Sequence, residues 1–263
     1  MADHHGKGHD GKGLTMTFEG KTALITGGSS GIGLASARAL RRAGALVAIM
    51  GRRRDALEAA RAELGGDVLI VAGDVSHLAD LHRMREAVGT AFGHLDILFA
   101  NAGIAIGTPL ETCDEATYSR IMDINVKGTF FTVQTALPLM REGGSIILNT
   151  SWLNQVGAPG RALLSASKAA VRSFVRTMSA ELLPRRIRVN AISPGSIETP
   201  LHRQNGQSEE AFRAYTERVG AQVPMGRMGT ADEIAAGVLF LASDASSYML
   251  GAEIVMDGGR AEL

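Results

Sequence analysis

The stretch Thr26-Gly27-Gly28-Ser29-Ser30-Gly31-Ile32-Gly33 decides the fold. It follows the short apolar run 23–25 and opens onto an amphipathic segment, 32–43, closed by Gly44. A glycine-rich turn between a buried strand and a helix lets the backbone approach a pyrophosphate. The free N–H groups of the helix N-terminus then attract its charge. The spacing is T-G-x-x-x-G-x-G rather than the common G-x-G-x-x-G. A turn that merely packs helix on strand would use similar small residues. Its place directly after the first strand favours the phosphate reading. Gly27, Ser29, Ser30, Gly31, Ile32 and Gly33 are therefore the first cofactor-binding candidates.

Outward from this loop, apolar runs alternate with helical stretches. Further strands are expected at 46–50, 68–71, 95–99, 145–148, 187–192 and 254–256. Helices are expected at 55–64, 78–92, 115–140, 162–183 and 232–241, with Pro138 ending or kinking the longest. Strands apolar on both faces and separated by helices imply a parallel sheet covered on both sides. That is the doubly wound α/β arrangement, a seven-stranded Rossmann-type sheet in a single domain. Residues 199–229 break the alternation and read as a lid over a site, with a helix at 208–219. Residues 1–16, rich in Gly, His and Lys and without an apolar core, read as a disordered tail or expression leader. His4, His5 and His9 within it are not taken as a metal site, and the domain is assigned to 17–263.

Composition narrows the function classes. With 45% hydrophobic and 21% charged residues, the 263-residue chain can bury a large core. Lys+Arg and Asp+Glu both number 27, so no global field favours nucleic acid or an anionic membrane. The single cysteine, Cys113, rules out an internal disulfide framework and a cysteine-based zinc site, and points to a cytoplasmic protein. No apolar run reaches the length of a membrane span, and no ligand cluster with metal spacing occurs.

Beyond the loop, Asp74-Val75, Asn101-Ala102-Gly103, Asn125, Ser151, Ser167-Lys168, Pro194-Gly195 and Asp257-Gly258-Gly259 follow in order. With this set the chain resembles the short-chain dehydrogenase/reductase (SDR) family over nearly its whole length after Met16. The resemblance implies that Asp74 and Val75 lie beside adenine. It implies that Asn101, Ala102 and Gly103 support the cofactor. It also places Pro194, Gly195, Ile197 and Thr199 around the nicotinamide. The second strand ends Gly51-Arg52-Arg53-Arg54, where an NAD site would carry a carboxylate for the ribose hydroxyls. Guanidinium groups suit a 2′-phosphate, so Arg52 and Arg53 point to NADP(H) over NAD(H).

The resemblance further implies a catalytic serine at Ser151, a lysine at Lys168 that holds the nicotinamide ribose, and a water-anchoring asparagine at Asn125. Where the family carries its acid tyrosine, four residues before the lysine, this chain has Leu164. Leucine can neither donate a proton nor hydrogen-bond an oxyanion, and Ser165 beside it faces about 100° away on a helix. Loss of a positioned general acid costs about 10²–10⁴-fold in rate. Four readings stay open: hydride transfer to an activated C=C or C=N bond that needs no phenol; a carbonyl reductase with a relocated acid such as Tyr215, His202 or a water on Lys168; a non-redox or scaffold role; or an engineered tyrosine-to-leucine variant. Trp152, Leu153, Gln155, Leu164 and Ile104 are the substrate-side candidates and suit a small hydrophobic or cyclic substrate. Family resemblance also implies a homotetramer packed through the helix at 115–140 and the helix bearing Lys168.

Overall fold

The structure is a computed structural model that describes residues 16–200 and 208–263. The tail at 1–15, and the part of the 199–229 segment containing His202, lie outside the described residues. The strands are β1 Thr22–Thr26, β2 Leu46–Gly51, β3 Leu69–Ala72, β4 Leu95–Ala100, β5 Met140–Asn149, β6 Arg188–Pro194, β7 Ile197–Glu198, β8 Gly229–Thr230 and β9 Glu253–Met256. Seven of them form one parallel sheet in the order β3-β2-β1-β4-β5-β6-β9, a single-domain Rossmann fold. The sequence order reverses between β1 and β4, which opens the crevice where such sheets bind ligands.

Alternation along each strand feeds two cores. Leu24, Met50, Leu98, Ile146 and Leu148 face one side, while Ala23, Ile25, Ile49, Phe99 and Ile147 face the other. The helices are α1 Gly31–Arg42, α2 Arg54–Leu64, α3 Leu78–Phe92, α4 Glu115–Met122, α5 Gly128–Ala136, α6 Ala162–Leu182, α7 Glu209–Gly220 and α8 Ala231–Ala242. α3, α5 and α6 cover the first face with Met84, Val133 and Val171; α1, α2 and α8 cover the second with Leu40, Leu57 and Val238. Burying one such side chain fully contributes roughly 1.5–3 kcal/mol, which is why strands apolar on both faces settle between two helix layers.

Three departures from the sequence reading bear on the site. The helix expected at 115–140 is three pieces: α4, a π-helical turn at Asp123–Lys127, and α5, which stops before Pro138. Met140 already belongs to β5. A π turn places an extra residue in the helix, and such turns concentrate at functional positions; this one carries Asn125. The lysine helix ends one residue earlier than expected, at Leu182, ahead of Pro184. Finally, β7 and β8 pair as a separate parallel ribbon that pins both ends of the 199–229 excursion.

Candidate active site

The carboxyl ends of β1, β4, β5 and β6 open into a cleft of about 750 Å³. At its floor, Gly27 and Gly31 take left-handed φ values of 66° and 53°. Gly33 is needed for packing: a Cβ there would sit 2.2 Å from the Gly27 carbonyl oxygen. It does not line the cleft, whereas Gly27, Ser29, Ser30, Gly31 and Ile32 do. Ser30, the residue before α1, makes no side-chain cap, and the first turn of α1 carries no acid. The leading N–H groups of α1 are thus left to an outside acceptor, as a pyrophosphate site requires.

Arg52 lines the cleft beside Gly51, and Ser29 Oγ lies within 3.2 Å of where a Gly51 Cβ would be. Arg53 stands elsewhere: it is exposed, directly precedes α2 and pairs with Asp55 at 3.6 Å. Asp74 holds its own turn by accepting from Ser76 N at 2.9 Å and Ser76 Oγ at 2.7 Å. Gly128 lets α5 close on Val75, since a Cβ there would meet Val75 Cγ2 at 2.8 Å.

The strand ends are stitched together. Asn101 N and Ala102 N both donate to Thr26 Oγ1 at 3.1 Å. Asn101 Nδ2 donates to the Thr26 carbonyl at 3.0 Å, and Asn101 Oδ1 accepts from Asn149 Nδ2 at 2.8 Å. Lys168 Nζ donates to the Asn149 carbonyl at 2.7 Å. Its ammonium is buried at 9% exposure, and that desolvation lowers its pKa to about 8. Asn149 Oδ1 is buried without a hydrogen-bond partner and belongs to the cleft wall.

Asn125 is engaged on every side-chain atom. Its Oδ1 accepts from Ile104 N at 2.9 Å, and its Nδ2 donates to the Ile104 carbonyl at 3.0 Å and to Ser167 Oγ at 3.1 Å. Ser167 Oγ in turn donates to the Leu164 carbonyl at 2.8 Å. The amide therefore braces the 101–104 run against α6, and the Asn125 main-chain carbonyl accepts from Thr129 Oγ1 at 2.7 Å.

Ser151 lies in extended backbone and caps the short turn Trp152–Asn154, accepting from Leu153 N at 3.3 Å. Among the described residues its hydroxyl proton is claimed by no partner, so it is free to be donated into the cleft. Leu164, buried at 6% exposure, lines the same cleft one turn before Lys168. Among the described tyrosines, Tyr118 and Tyr248 are exposed and Tyr215 alone lines the cleft. Among the described residues no cluster of three or more His, Cys, Asp or Glu side chains could hold a metal ion, and no helix is long and apolar enough to cross a membrane.

A family model described as enoyl-(acyl carrier protein) reductase matches residues 27–261. The chain is 43% identical over 246 residues to the oxidoreductase asL5 of Sarocladium schorii, covering 93% of this chain and 97% of that one. It is 37% identical over 249 residues to the glucose 1-dehydrogenase of Gluconobacter oxydans, covering 92% of each. A solved short-chain type dehydrogenase/reductase from Mycobacterium marinum superposes with a TM-score of 0.86 at 37% identity, over 95% of this chain and 98% of that one. The chain belongs to the short-chain dehydrogenase/reductase family. As in that fold generally, the cleft takes a nicotinamide cofactor, and the protein is an oxidoreductase by family with a small-molecule substrate.

Several functional contacts of this SDR chain escaped the sequence reading. Gln155 turns away from the cleft: its Nε2 donates to Glu253 Oε2 at 3.2 Å. Asn154 Nδ2 donates to Glu253 Oε1 at 2.8 Å, and Thr150 Oγ1 donates to the same oxygen. Arg172 Nε lies 3.4 Å from that buried carboxylate. One residue of β9 thus anchors the loop that carries Ser151. The second omission is Arg260. Gly258 and Gly259 turn the chain at φ 69° and 90°, and Asp257 fixes the turn by accepting from Gly259 N and Ala261 N at 2.8 Å each. The Arg260 guanidinium then lies 4.4 Å from the centre of the Trp152 ring, bonded to Ser196 Oγ and, at 3.0 Å, to Gln222 Oε1. A flat substrate stacking on that face of Trp152 would meet Arg260 first.

Proposed function

We propose that this chain is an NADP(H)-dependent oxidoreductase acting on a small hydrophobic or cyclic substrate whose reduction needs no phenolic acid, an activated C=C or C=N bond. The observation that carries this reading is Leu164, buried at the cleft wall one turn before Lys168, where the family resemblance leads one to expect a tyrosine. The residues around the cleft suit the cofactor: an uncapped α1 N-terminus, glycines without room for side chains, and the unpartnered Asn149 Oδ1. NADP(H) is preferred because Arg52 pairs with no acid among the described residues and Ser29, beside Gly51, lines the same cleft, a set suited to a 2′-phosphate. Asp74 and Val75 would flank adenine, and Pro194, Gly195, Ile197 and Thr199 the nicotinamide.

When bound, the nicotinamide supplies or takes up a hydride. Lys168, held by the Asn149 carbonyl, would use its remaining N–H groups to hold the ribose hydroxyls. Ser151 would donate a hydrogen bond, keeping its proton, to the substrate oxygen on which negative charge gathers during reduction of an enone. The α-carbon then takes its proton from water. Leu164, Ile104 and Leu153 exclude water from the reacting carbon and pack the apolar body.

Tyr215 supports a second reading, a carbonyl reductase with a relocated acid. It lines the cleft and interacts electrostatically with Arg260. The two readings separate in one assay. NADPH oxidation is followed with cyclic ketones, enones and imines, for the chain as it stands, for Leu164→Tyr and for Tyr215→Phe. Enone or imine turnover that neither substitution improves nor removes is expected. Ketone turnover lost by about 10²-fold or more in Tyr215→Phe would establish the relocated acid. Ketone turnover only in Leu164→Tyr would leave the parent chain with a non-redox role or as a disabled, engineered reductase. The single cysteine favours a cytoplasmic location, and the α5–α6 face favours the homotetramer that the family implies.

A further inference from the structure

The substrate end of the cleft is cationic as well as apolar. Arg161, Arg218 and Arg260 line it together with Lys168, and Asp74, at the adenine end, is the one carboxylate among the described lining residues. Arg161 pairs with no acid among the described residues. Arg218 contacts the Tyr215 ring at 5.7 Å and likewise pairs with no acid. Arg260 is partly buried, and that burial, with the nearby charge of Arg161, lowers its pKa against the opposing influence of Tyr215 and Asp257. Asp257 offsets part of the Arg260 charge, but it does not line the cleft, and its carboxylate oxygens hold the main-chain N–H groups of Gly259 and Ala261 rather than the guanidinium. Two of the Arg260 donors hold Ser196 and Gln222, which fix the guanidinium plane over Trp152 and leave its other donors unclaimed. Guanidinium groups that line one end of a cleft and outnumber the carboxylates there are arranged to meet an oxyanion.

We propose that Arg161, Arg218 and Arg260 form an anion-recognition subsite, so that the substrate is an apolar, cyclic or flat molecule bearing a carboxylate or phosphate. This rests on the reading that this end of the cleft takes the substrate. The apolar body would lie along Leu164 and Ile104 while the anionic group reaches the guanidiniums. The subsite then fixes which carbon faces the cofactor, a task that the apolar wall alone performs poorly.

Trp152 is the only tryptophan of the chain and stacks on Arg260, so its fluorescence reports occupancy directly. The NADP⁺-saturated protein would be titrated with benzoate, phenyl phosphate and benzamide. At least one of the two anions should bind about tenfold or more tighter than benzamide, and that preference should shrink as NaCl is raised. Whichever anion leads identifies the carboxylate or the phosphate as the recognised group. Arg161→Gln and Arg218→Gln should each weaken the preferred anion several-fold, leaving benzamide and NADP⁺ affinities unchanged; Arg260→Gln should do so more strongly. Equal binding of all three probes, or no binding by any, would overturn the proposal. So would arginine variants that weaken NADP⁺ instead, since the arginines would then serve the cofactor. Turnover plays no part in this readout. Anion preference without NADPH oxidation would remove the hydride reading and leave the subsite standing; oxidation without preference would do the reverse.

Discussion

Lys168 is held where its charge is least welcome. Burial depresses its pKa from 10.5 to about 8, so at neutral pH the folded protein keeps an ammonium that the cofactor-free cleft solvates poorly. The sign follows directly. Below pH 8 the lysine is charged in both folded and unfolded chains, and the penalty is fully present. Between pH 8 and 10.5 the unfolded chain binds more protons, so stability rises with pH. The span corresponds to about 3 kcal/mol. Lys168→Met should therefore raise the Tm of the cofactor-free protein at pH 7, and the gain should fade by pH 10; a gain equal at both pH values would contradict a desolvated ammonium. Its cofactor affinity should fall sharply in the same variant. Arg52 offers a second test at this scale. A charge-assisted hydrogen bond contributes about 1.5–3 kcal/mol, so Arg52→Asp should raise the KM for NADPH by roughly 10–100-fold relative to that for NADH. An unchanged ratio of the two KM values would show that the 2′-phosphate is not read here.

At the scale of elements, the serine loop depends on a strand about a hundred residues away. Glu253 in β9 accepts from Thr150, Asn154 and Gln155 and pairs with Arg172. Glu253→Ala strands these partners, and breaking such a buried pair costs about 3–5 kcal/mol. Expected are a lower Tm and a kcat reduced by about tenfold or more, with the KM for NADPH held, because the glycine loop is untouched; Glu253→Gln should restore much of the kcat by keeping an acceptor. A KM for NADPH that moves in step with kcat would show the loop is not the element affected. This contact explains what the sequence could and could not convey. The glycine turn and the strand–helix alternation were legible because their causes are local: hydrophobic period, small residues and caps. The 115–140 segment read as one helix because a π turn leaves the hydrophobic period nearly intact; Asn125 was named without its amide partners Ile104 and Ser167. Gln155 read as a substrate contact because it follows Ser151, whereas its partner arrives from β9. Arg260 was silent for the same reason: its meaning depends on Trp152, Ser196 and Gln222, which only the folded chain assembles.

At the scale of the whole molecule, the α5–α6 face presents apolar rings to solvent. Phe130 on α5 remains 36% exposed, although its ring meets Phe131 edge-on at 5.3 Å and Phe174 of α6 at 5.6 Å. Tyr118 of α4, on the preceding segment, is 49% exposed. These rings project from the elements that position Asn125 and Lys168, so a partner seated on them would stiffen the cleft from behind. Covering an exposed aromatic cluster is worth more than covering scattered residues, because rings held by their neighbours lose little side-chain entropy on docking. A like charge facing its own copy across a two-fold axis is, by contrast, strongly unfavourable. If this face is the interface of the proposed homotetramer, Phe130→Glu should shift the protein toward a smaller species in light scattering coupled to size exclusion, at unchanged far-UV circular dichroism. A monomeric parent chain, or an assembly that Phe130→Glu leaves intact, would mean this face is not the interface. If the smaller species forms and its kcat falls while NADPH binding persists, α5 and α6 carry the effect of assembly to the site through Asn125 and Lys168.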